Sequence, residues 1–411
     1  MTRTTGVFLA GAVSAIAVVS TTFVAGQARP EGSGPLHKYH INASDIPAPA
    51  TGTANPPMVV DRPAGAQLNL PPGFKIDVFA DEGQFKTLRY IIEEPDGDVF
   101  AADVTANTIT ILRDTNNDGK ADERHVFAEG LKRPFGMAIA NGYFYVGNTD
   151  SVVRWKYAPG QLKVEGAPQK ITDLPGGGNH STRTLAFNAD NTKLYVSVGS
   201  SSNVDVEREP RATILEMNPD GSARRVFASG IRNPVGLALR PGSSEIWTSV
   251  NERDMLGDDL VSDYVTHVQD GGFYGWPYSY LGSHEDPRRK GERPDLVAKA
   301  IVPDVLLQSH SAPLGLVFYT GTQFPAEYRG DAFVALHGSW NRKPRTGYKV
   351  VRVPIRDGKA TGEYEDFITG WLVDEAKPDV WGRPVGLAVH RDGSLLITDD
   401  AHNLIWRVSY Q

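Results

Sequence analysis

The chain has 411 residues, of which 40% are hydrophobic, so it is long enough to bury a large core. It contains no cysteine, which excludes disulfides, thiolate metal sites and a cysteine nucleophile. The net charge of −7 provides no basic field for nucleic acid, so we expect no nucleic-acid partner.

The N-terminus has the pattern of a secretion signal. Arg3 precedes an uncharged stretch of apolar and small residues at 7–25, and small residues suited to cleavage follow. We predict a signal peptide over residues 1–28 and a periplasmic or secreted protein. The apolar stretch is long for a signal peptide, so an uncleaved membrane tether is the alternative.

The next segment differs in composition from the rest of the chain. Residues 29–67 are rich in proline, alanine, glycine and threonine and show no apolar periodicity, which predicts a flexible extension. From residue 68 onward, strand-sized apolar runs alternate with turn clusters, and no segment sustains a helical period. We therefore predict one all-β domain over residues 68–411.

A short phrase recurs along this domain, each time followed by a polar turn and a second apolar run. It reads R-N-P-V-G-L-A at 232–238, R-P-V-G-L-A at 383–388, and in looser form at 88–91, 133–138, 183–186 and 312–316. A self-similar unit of about 40–50 residues with short strands is typical of a β-propeller. Six copies predict a six-bladed β-propeller whose loops converge at one end of a central channel. We expect the last strand, near 404–408, to pair with an N-terminal strand and close the ring.

The turn D-T-N-N-D-G-K-A-D at 114–122 has the spacing of a calcium loop. The predicted ligands of a structural calcium ion are Asp114, Asn116, Asp118, the carbonyl of Lys120, and Asp122. Strand patterns flank the segment, and a histidine stands where a calcium loop has its bidentate glutamate. The alternative is an Asx-rich turn without an ion.

His180 follows a glycine loop and precedes a strand, in G-G-G-N-H-S-T-R at 176–183. A histidine at the mouth of a channel has the pKa range of a general base. The alternative is a loop histidine satisfied by backbone groups.

A long insertion follows the copy of the phrase at 232–238 and opens with N-E-R-D-M-L-G-D-D at 251–259. Asn251, Glu252, Asp258 and Asp259 supply the dense oxygen ligands that suit a hard cation such as Ca²⁺, although a solvated acidic loop has the same composition. The run G-G-F-Y-G-W-P at 271–277 offers aromatic rings for stacking.

The turn H-G-S-W-N-R-K at 337–343 ends a strand with an aromatic ring and two cations. Trp340, Asn341, Arg342 and Lys343 form a group that suits a planar polyanion, because guanidinium groups grip carboxylates and the indole stacks. A surface turn with ordinary charges is the alternative. Arg232 and Arg383 stand at equivalent places in their repeats and are either ligand-binding or structural arginines between blades.

Together these segments resemble the pyrroloquinoline quinone (PQQ)-dependent sugar dehydrogenases, namely the soluble aldose and glucose dehydrogenases and more closely the sorbosone dehydrogenase branch. The resemblance implies a propeller that holds PQQ and Ca²⁺ over the channel. It implies His180 as the base, Arg232 and Asn233 beside the reacting quinone carbonyl, and Arg383 on a cofactor carboxylate. Arg342 or Lys343 would replace a family lysine, and the 251–259 loop would hold the calcium ion of the cofactor.

The resemblance predicts the oxidation of aldose sugars or sorbosone-type aldehydes by hydride transfer to PQQ, with an external quinone or cytochrome as electron acceptor. The sequence departs from the glucose enzymes at 200–203, where S-S-S-N replaces an aspartate near the histidine; Asp205 is the alternative partner. The rival functions are a metal-dependent lactonase, which is also a six-bladed propeller, and a non-enzymatic propeller that binds glycans or proteins.

Overall fold

A computed structural model describes residues 1–2, 36–81, 83, 85–94 and 96–411. The predicted signal peptide lies, apart from its first two residues, outside the described residues. Within the described ranges, no helix is both long enough and apolar enough to span a bilayer.

The domain is a six-bladed β-propeller, which confirms the predicted fold. Each blade is a four-stranded antiparallel sheet, apart from an additional strand on blade 5. The strands of blades 1 to 3 are Leu88–Glu93, Val99–Asp103, Thr108–Arg113 and Glu123–Ala128; Met137–Ala140, Tyr143–Asn148, Ser151–Lys156 and Gln169–Asp173; and Leu185–Phe187, Leu194–Val198, Thr213–Met217 and Arg225–Ser229. The strands of blades 4 to 6 are Pro234–Leu239, Ile246–Val250, Ser262–His267 and Val305–Ser309; Pro313–Phe318, Ala332–Leu336, Lys349–Val353 and Glu363–Ile368; and Pro384–Val389, Leu395–Asp399, Leu404–Tyr410 and the N-terminal Phe74–Ala80.

The recurring phrase leads into or forms the first strand of each blade, and these first strands contact one another around the whole ring. The glycine within the phrase permits the first strands of adjacent blades to lie this close together. A Cβ atom at Gly386 would lie 2.7 Å from the carbonyl oxygen of Arg89 in the next blade, and one at Gly136 would lie 2.5 Å from that of Arg183. Only a residue without a side chain fits where the backbones of adjacent blades meet.

Hydrophobic clusters fill the spaces between successive blades. Between blades 1 and 2, for example, the rings of Phe100, Phe127 and Phe144 pack with centroids 4.7 to 5.0 Å apart. This packing fixes the blades relative to one another and thus the positions of the loops at the channel mouth.

The ring closes as predicted, because Leu404–Tyr410 pairs on one side with Leu395–Asp399 and on the other with Phe74–Ala80. The other elements are short. They are the helix Pro294–Val297, the 3-10 helix Ala326–Tyr328, the antiparallel pairs Ser279–Tyr280 with His284–Glu285 and Ile355–Arg356 with Lys359–Ala360, and the parallel pair Met58–Val59 with Asp379–Val380.

The described part of the expected flexible extension, residues 36–67, lies against the propeller. Lys38–His40 adds a fifth strand to blade 5, where the ring of Tyr39 stacks on that of Tyr364 at 4.6 Å. Met58–Val59 pairs in parallel with Asp379–Val380. Much of this contact is made by backbone groups, which leave no apolar period in the sequence, and the expectation of flexibility missed it for that reason.

Candidate functional site

A cavity of ≈ 380 Å³ lies at one end of the channel, and all six blades contribute to its wall. Its floor is apolar and is formed by Val104, Phe135, Val235 and Leu314 from the inner region of four blades. The predicted residues that the structure brings together in this wall are His180, Arg232, Asn233, Asn251, Glu252, Trp340, Asn341 and Arg383.

His180 is oriented by the segment that follows the second strand of blade 3. Its Nδ1 lies 2.9 Å from the carbonyl oxygen of Ser200 and 2.9 Å from Ser200 Oγ, whose own hydrogen is donated to the carbonyl oxygen of Ser202. A carbonyl oxygen can only accept, so Nδ1 carries the proton in the neutral ring and Nε2 is left as an acceptor. Burial, together with the positive charge of Arg232, lowers the pKa of His180 to about 3.

Ser200 thus takes the place of the aspartate that accompanies the histidine in the glucose enzymes. The alternative partner, Asp205, lies on the surface and pairs with Arg289 at 3.1 Å. The partner of His180 is neutral, so it fixes the tautomer without raising the basicity of the ring as a carboxylate would.

Arg232 is 2% exposed and directs all five of its N–H groups to protein acceptors. The acceptors are Asn203 O at 3.1 Å, Asn251 O at 3.3 Å, Glu252 O at 2.6 Å, Asn203 Oδ1 at 3.0 Å and Asp254 Oδ2 at 2.5 Å. It therefore braces the cavity wall. This geometry favours the structural alternative over the predicted catalytic and cofactor-binding role, because no donor of Arg232 is left for a ligand.

Several buried polar atoms in the cavity wall have no hydrogen-bond partner among the described residues. They are Asn233 Oδ1, Glu252 Oε1, Asn341 Oδ1 and Arg383 Nε. Buried polar groups are nearly always satisfied, so unpartnered ones in a cavity wall point to a missing ligand. Three of these atoms are oxygens, which attract a cation, and one is a guanidinium nitrogen, which attracts an anion.

The orientation of Asn341 is set by its neighbours. Its Nδ2 donates to Asp254 Oδ1 at 2.8 Å and lies 3.2 Å from Nδ1 of His310, whose Nε2 lies 2.8 Å from the carbonyl oxygen of Gly257. His310 must donate to that carbonyl, so its Nδ1 accepts and the amide nitrogen of Asn341 faces it. The unpartnered Oδ1 of Asn341 therefore turns to the other side.

Two buried carboxyl groups reinforce the attraction for a cation. Burial raises the pKa of Glu252 to about 7 and that of Asp263 to about 8. Asp263 accepts from the backbone N–H groups of Glu252 and Ala312, both at 2.8 Å. A cation beside these carboxylates would favour their charged forms and lower both pKa values.

The opposite wall is cationic. His337 Nδ1 lies 3.0 Å from Arg383 Nη2 and its Nε2 lies 2.9 Å from Asp400 Oδ1, while Arg89 Nη1 pairs with Asp400 Oδ2. Burial and the charge of Arg383 lower the pKa of His337 to about 4, so the ring is neutral and accepts from Arg383. Burial would raise the pKa of Asp400, but His337, Arg89 and Arg383 hold it well below its usual range.

Sequence reasoning missed two arginines of the cavity wall, Arg89 and Arg133. Arg133 is exposed, and its side chain makes no hydrogen bond or ion pair with any described residue. The signal that could have found both is the recurring phrase, because Arg133 stands three residues before Gly136, as Arg383 does before Gly386, and Arg89 lies in the copy at 88–91. The phrase therefore places arginines around the mouth as well as glycines at the axis.

Four predicted site residues lie outside the cavity wall. Asp258 accepts from the backbone N–H of Thr53 at 3.0 Å, and Asp259 pairs with Arg342 Nη2 at 2.6 Å. Lys343 is exposed on the far side of the turn. These two aspartates, Arg342 and Lys343 do not line the cavity, so their roles in holding the cofactor calcium and the cofactor stay predictions that this geometry does not support. The loop turns its later residues outward to the N-terminal extension and to Arg342.

The aromatic run at 271–277 does not form an open wall either. Tyr274, Trp276 and Tyr280 are buried, and Trp276 Nε1 donates to the carbonyl oxygen of Asn203 at 2.9 Å. Tyr274 and Tyr280 belong to the hydrophobic cluster between blades 3 and 4, and the buried Trp276 lies beside Asn203.

In the turn 114–122, the predicted calcium ligands accept hydrogen bonds from the turn itself. Asp114 Oδ2 accepts from the N–H of Gly119 at 2.8 Å, and Asp122 Oδ2 accepts from that of Thr115 at 2.9 Å. Among the described residues, no three acidic or histidine side chains are grouped as a metal site, here or elsewhere. The geometry is that of an Asx-rich turn, and the structural calcium ion stays a prediction.

Comparison with known proteins identifies relatives of this chain in sequence and in structure, some of which are PQQ enzymes. An uncharacterized protein of Borreliella burgdorferi is 30% identical over 358 residues, which is 84% of this chain and 91% of that protein. The pyrroloquinoline quinone-dependent pyranose dehydrogenase of Coprinopsis cinerea is 27% identical over 311 residues, which is 60% of this chain and 42% of that protein. The holo form of the PQQ domain of the same enzyme has a TM-score of 0.72 at 21% identity, over 87% of this chain and 100% of that domain.

These similarities support the predicted resemblance to PQQ-dependent sugar dehydrogenases, whereas the sorbosone branch stays a prediction. The TrAA12-like family model matches residues 68–270 and 292–411, which is most of the propeller. The chain therefore belongs to the TrAA12-like family.

Proposed function

We propose that the protein is an oxidoreductase that uses PQQ and Ca²⁺ to oxidise pyranose or other aldose sugars, or aldehydes of the sorbosone type. The observation that carries the proposal is one cavity that joins a histidine base to a cationic wall and to unpartnered oxygens. The curated pyranose dehydrogenase that shares this fold and part of this sequence is PQQ-dependent.

The cationic wall fits a flat polyanion such as PQQ. Arg383 offers a buried Nε without a hydrogen-bond partner, 4.0 Å from Asp400 Oδ1, and the exposed Arg133 offers a complete guanidinium group. Both can form the paired N–H contacts that carboxylates accept. Trp340 is 45% exposed at the rim, where its indole face is available for stacking on a planar ring.

The oxygens on the other side fit Ca²⁺. Glu252 Oε1, Asn233 Oδ1 and Asn341 Oδ1 are hard neutral or anionic ligands, the kind that this cation prefers. They are fewer than the six to eight oxygens that Ca²⁺ takes, so cofactor and water oxygens would complete the set. This predicts that the ion and the cofactor bind together.

His180 is suited to take a proton from a sugar hydroxyl. Ser200 holds Nδ1 as a donor, so Nε2 is the basic atom, and it makes no hydrogen bond with any described residue. The low pKa keeps the ring neutral and free to accept a proton at ordinary pH values, although it also makes the ring a weaker base than an ordinary histidine. Bound PQQ would supply an electron-poor quinone, which would accept the hydride from the carbon that bears this hydroxyl.

The proposal is tested by calorimetric titration of metal-free protein with PQQ. We expect binding when Ca²⁺ is present and little binding without it, followed by dye reduction with a panel of aldoses and with sorbosone. Absence of PQQ binding in the presence of Ca²⁺ would refute the proposal. The reaction also needs an external electron acceptor, for which we propose a quinone or a cytochrome, in a periplasmic or secreted setting.

The two rival functions are less well supported. A metal-dependent lactonase needs buried Glu, Asn and Asp ligands without arginines that grip a cofactor, whereas Arg133 and Arg383 line this cavity. A protein that only binds glycans has no need of a buried histidine with a fixed tautomer beside unpartnered oxygens. Hydrolysis of lactones without PQQ would favour the first rival.

A further inference from the structure

Residues 50–60 of the N-terminal extension, which we name the strap, cross the face that carries the cavity. The strap bonds to three blades in turn: Ala50 N–H to Leu256 O at 2.9 Å, Asn55 N–H to Trp340 O at 2.7 Å, and Met58 N–H to Pro378 O at 2.7 Å. The TrAA12-like match begins at residue 68, so the strap lies outside the matched region.

Asn55 is the centre of these contacts, because all four of its polar groups are bonded to one turn. Besides the bond to Trp340, its Nδ2 donates to Arg342 O at 2.9 Å. Its O and Oδ1 accept from Arg345 Nη1 and Nη2, both at 2.7 Å. Arg345 is 1% exposed, so this is a buried charge whose acceptors come partly from the strap.

The turn that Asn55 holds carries Trp340 and Asn341 into the cavity wall. Within the described structure, no backbone N–H of residues 340–344 donates a hydrogen bond. The turn is closed by Ser339 N–H to Thr346 O at 2.9 Å and by Arg345 N–H to Glu375 O at 3.0 Å. Between those two bonds, the strap supplies the hydrogen-bond donors to the carbonyl oxygens of Trp340 and Arg342.

The strap also holds the loop on the other side of the cavity. Thr53 N–H donates to Asp258 Oδ1 at 3.0 Å, and the backbone of Gly52 lies so close to Met255 that a Cβ at residue 52 would be 2.8 Å from its Cα. This loop begins with Asn251 and Glu252, which line the cavity. One segment therefore ties together the loops that carry the unpartnered oxygens of Glu252 and Asn341.

We propose that Asn55 is a positioning residue, which holds the 339–345 turn so that Trp340 and Asn341 are presented to the ligand before it binds. A site whose geometry is set in advance binds more tightly, because the ligand need not order it. The consequence for ligand binding rests on the proposed function, whereas the ordering of the turn does not.

The first test measures ordering without any ligand. Hydrogen exchange in the segment 337–346 is compared for the wild type, Asn55→Ala and the control Asn42→Ala, whose side chain bonds only to His40 and Asp45 nearby. We expect the protected amides of Ser339, Arg345 and Thr346 to exchange at least about tenfold faster in Asn55→Ala and at the wild-type rate in the control. Unchanged exchange in Asn55→Ala would overturn the proposal.

The second test titrates PQQ in the presence of Ca²⁺. The Kd should rise about tenfold in Asn55→Ala and stay unchanged in Asn42→Ala. Faster exchange with unchanged PQQ affinity would overturn the role in binding. If the wild type itself binds no PQQ, the proposed function fails, and the exchange experiment alone decides the role of Asn55.

A milder variant covers the case in which Asn55→Ala does not fold. Asn55→Asp keeps an acceptor for Arg345 and loses only the donor to Arg342 O. We expect a smaller but measurable increase in exchange over residues 337–346. Wild-type exchange in this variant would overturn the proposal equally.

Discussion

Replacing Arg232 by leucine tests whether this arginine holds the cavity wall. The substitution removes five hydrogen bonds and leaves Asp254 without its cation. Removing one partner of a buried ion pair typically costs about 3–5 kcal/mol. Asp254 is 22% exposed and keeps a bond from Asn341, so we expect the lower end, about 3 kcal/mol.

The control is Arg133→Leu, which changes the arginine that opens another copy of the phrase. Arg133 is exposed and its side chain has no bonded partner among the described residues, so loss of this side chain should change the free energy of unfolding by less than about 0.5 kcal/mol. Conversely, PQQ affinity should fall in the Arg133 variant if its guanidinium binds a carboxylate.

The assay is urea unfolding followed by tryptophan fluorescence, with the free energy taken from the midpoint and slope. Arg232→Leu should shift the midpoint well below that of Arg133→Leu. Equal midpoints for the two variants would refute the reasoning, because the buried network would then contribute nothing to stability.

Other consequences of the structure are equally open to measurement. His180→Ala should lower kcat by about 10²–10⁴-fold with PQQ affinity retained, and undiminished turnover would remove His180 from the mechanism. Since burial lowers the pKa of His180 to about 3, the unfolded chain takes up a proton below its ordinary value near 6.5 before the folded protein does. The stability of the wild type should therefore fall from pH 6.5 toward pH 3 more steeply than that of His180→Asn, and parallel curves would contradict this. Chelation should lower the melting temperature of the wild type more than that of Asp118→Ala if the 114–122 turn binds calcium. A ligand present at 100 times its Kd stabilises the folded state by about 2.7 kcal/mol. Equal decreases in melting temperature for the two proteins would mean that the turn binds no ion. Trp276→Ala should lower the free energy of unfolding by about 3–5 kcal/mol and leave KM unchanged. An unchanged free energy of unfolding with a raised KM would instead place Trp276 in the substrate site.

The fold was predictable because the sequence phrase that forms the inner strands recurs along the chain. Four of the six copies of the phrase contain a glycine, and at Gly136 and Gly386 it stands where the backbones of two blades meet. Period-two strands and turn clusters are likewise local properties that a sequence displays directly. The number of blades followed from the number of copies.

The site was only partly predictable, since the identity of a residue does not show which way its side chain points. Asp258 and Asp259 have the same chemistry as Glu252, yet the loop turns them outward and Glu252 inward. Arg232 and Arg133 each open a copy of the phrase, but Arg232 is surrounded by acceptors and Arg133 is exposed. Such differences arise from contacts between distant segments, which one sequence does not reveal.

The strap was missed for a related reason. Asn55 acts partly through its own N–H and carbonyl and through the carbonyls of Trp340 and Arg342. Backbone partners carry no sequence signature, and a segment rich in proline and glycine looks like a linker. Only the position of the chain in space shows that it is ordered.

The closure of blade 6 sets the order in which the molecule can assemble. Phe74 pairs with Tyr410 and Ile76 with Val408, so the first blade strand of the chain can pair only after the last strand has been synthesised. Contacts between the ends of a chain carry the largest loop-closure entropy and slow folding. Five blades can form from neighbouring segments, whereas the sixth requires the C-terminal residues to be present. Until then the edges of Phe74–Ala80 are unpaired and open to pairing with another chain. Loss of the last seven residues would therefore open the ring itself, so the integrity of the C-terminus governs whether a newly made chain becomes a propeller or an aggregate.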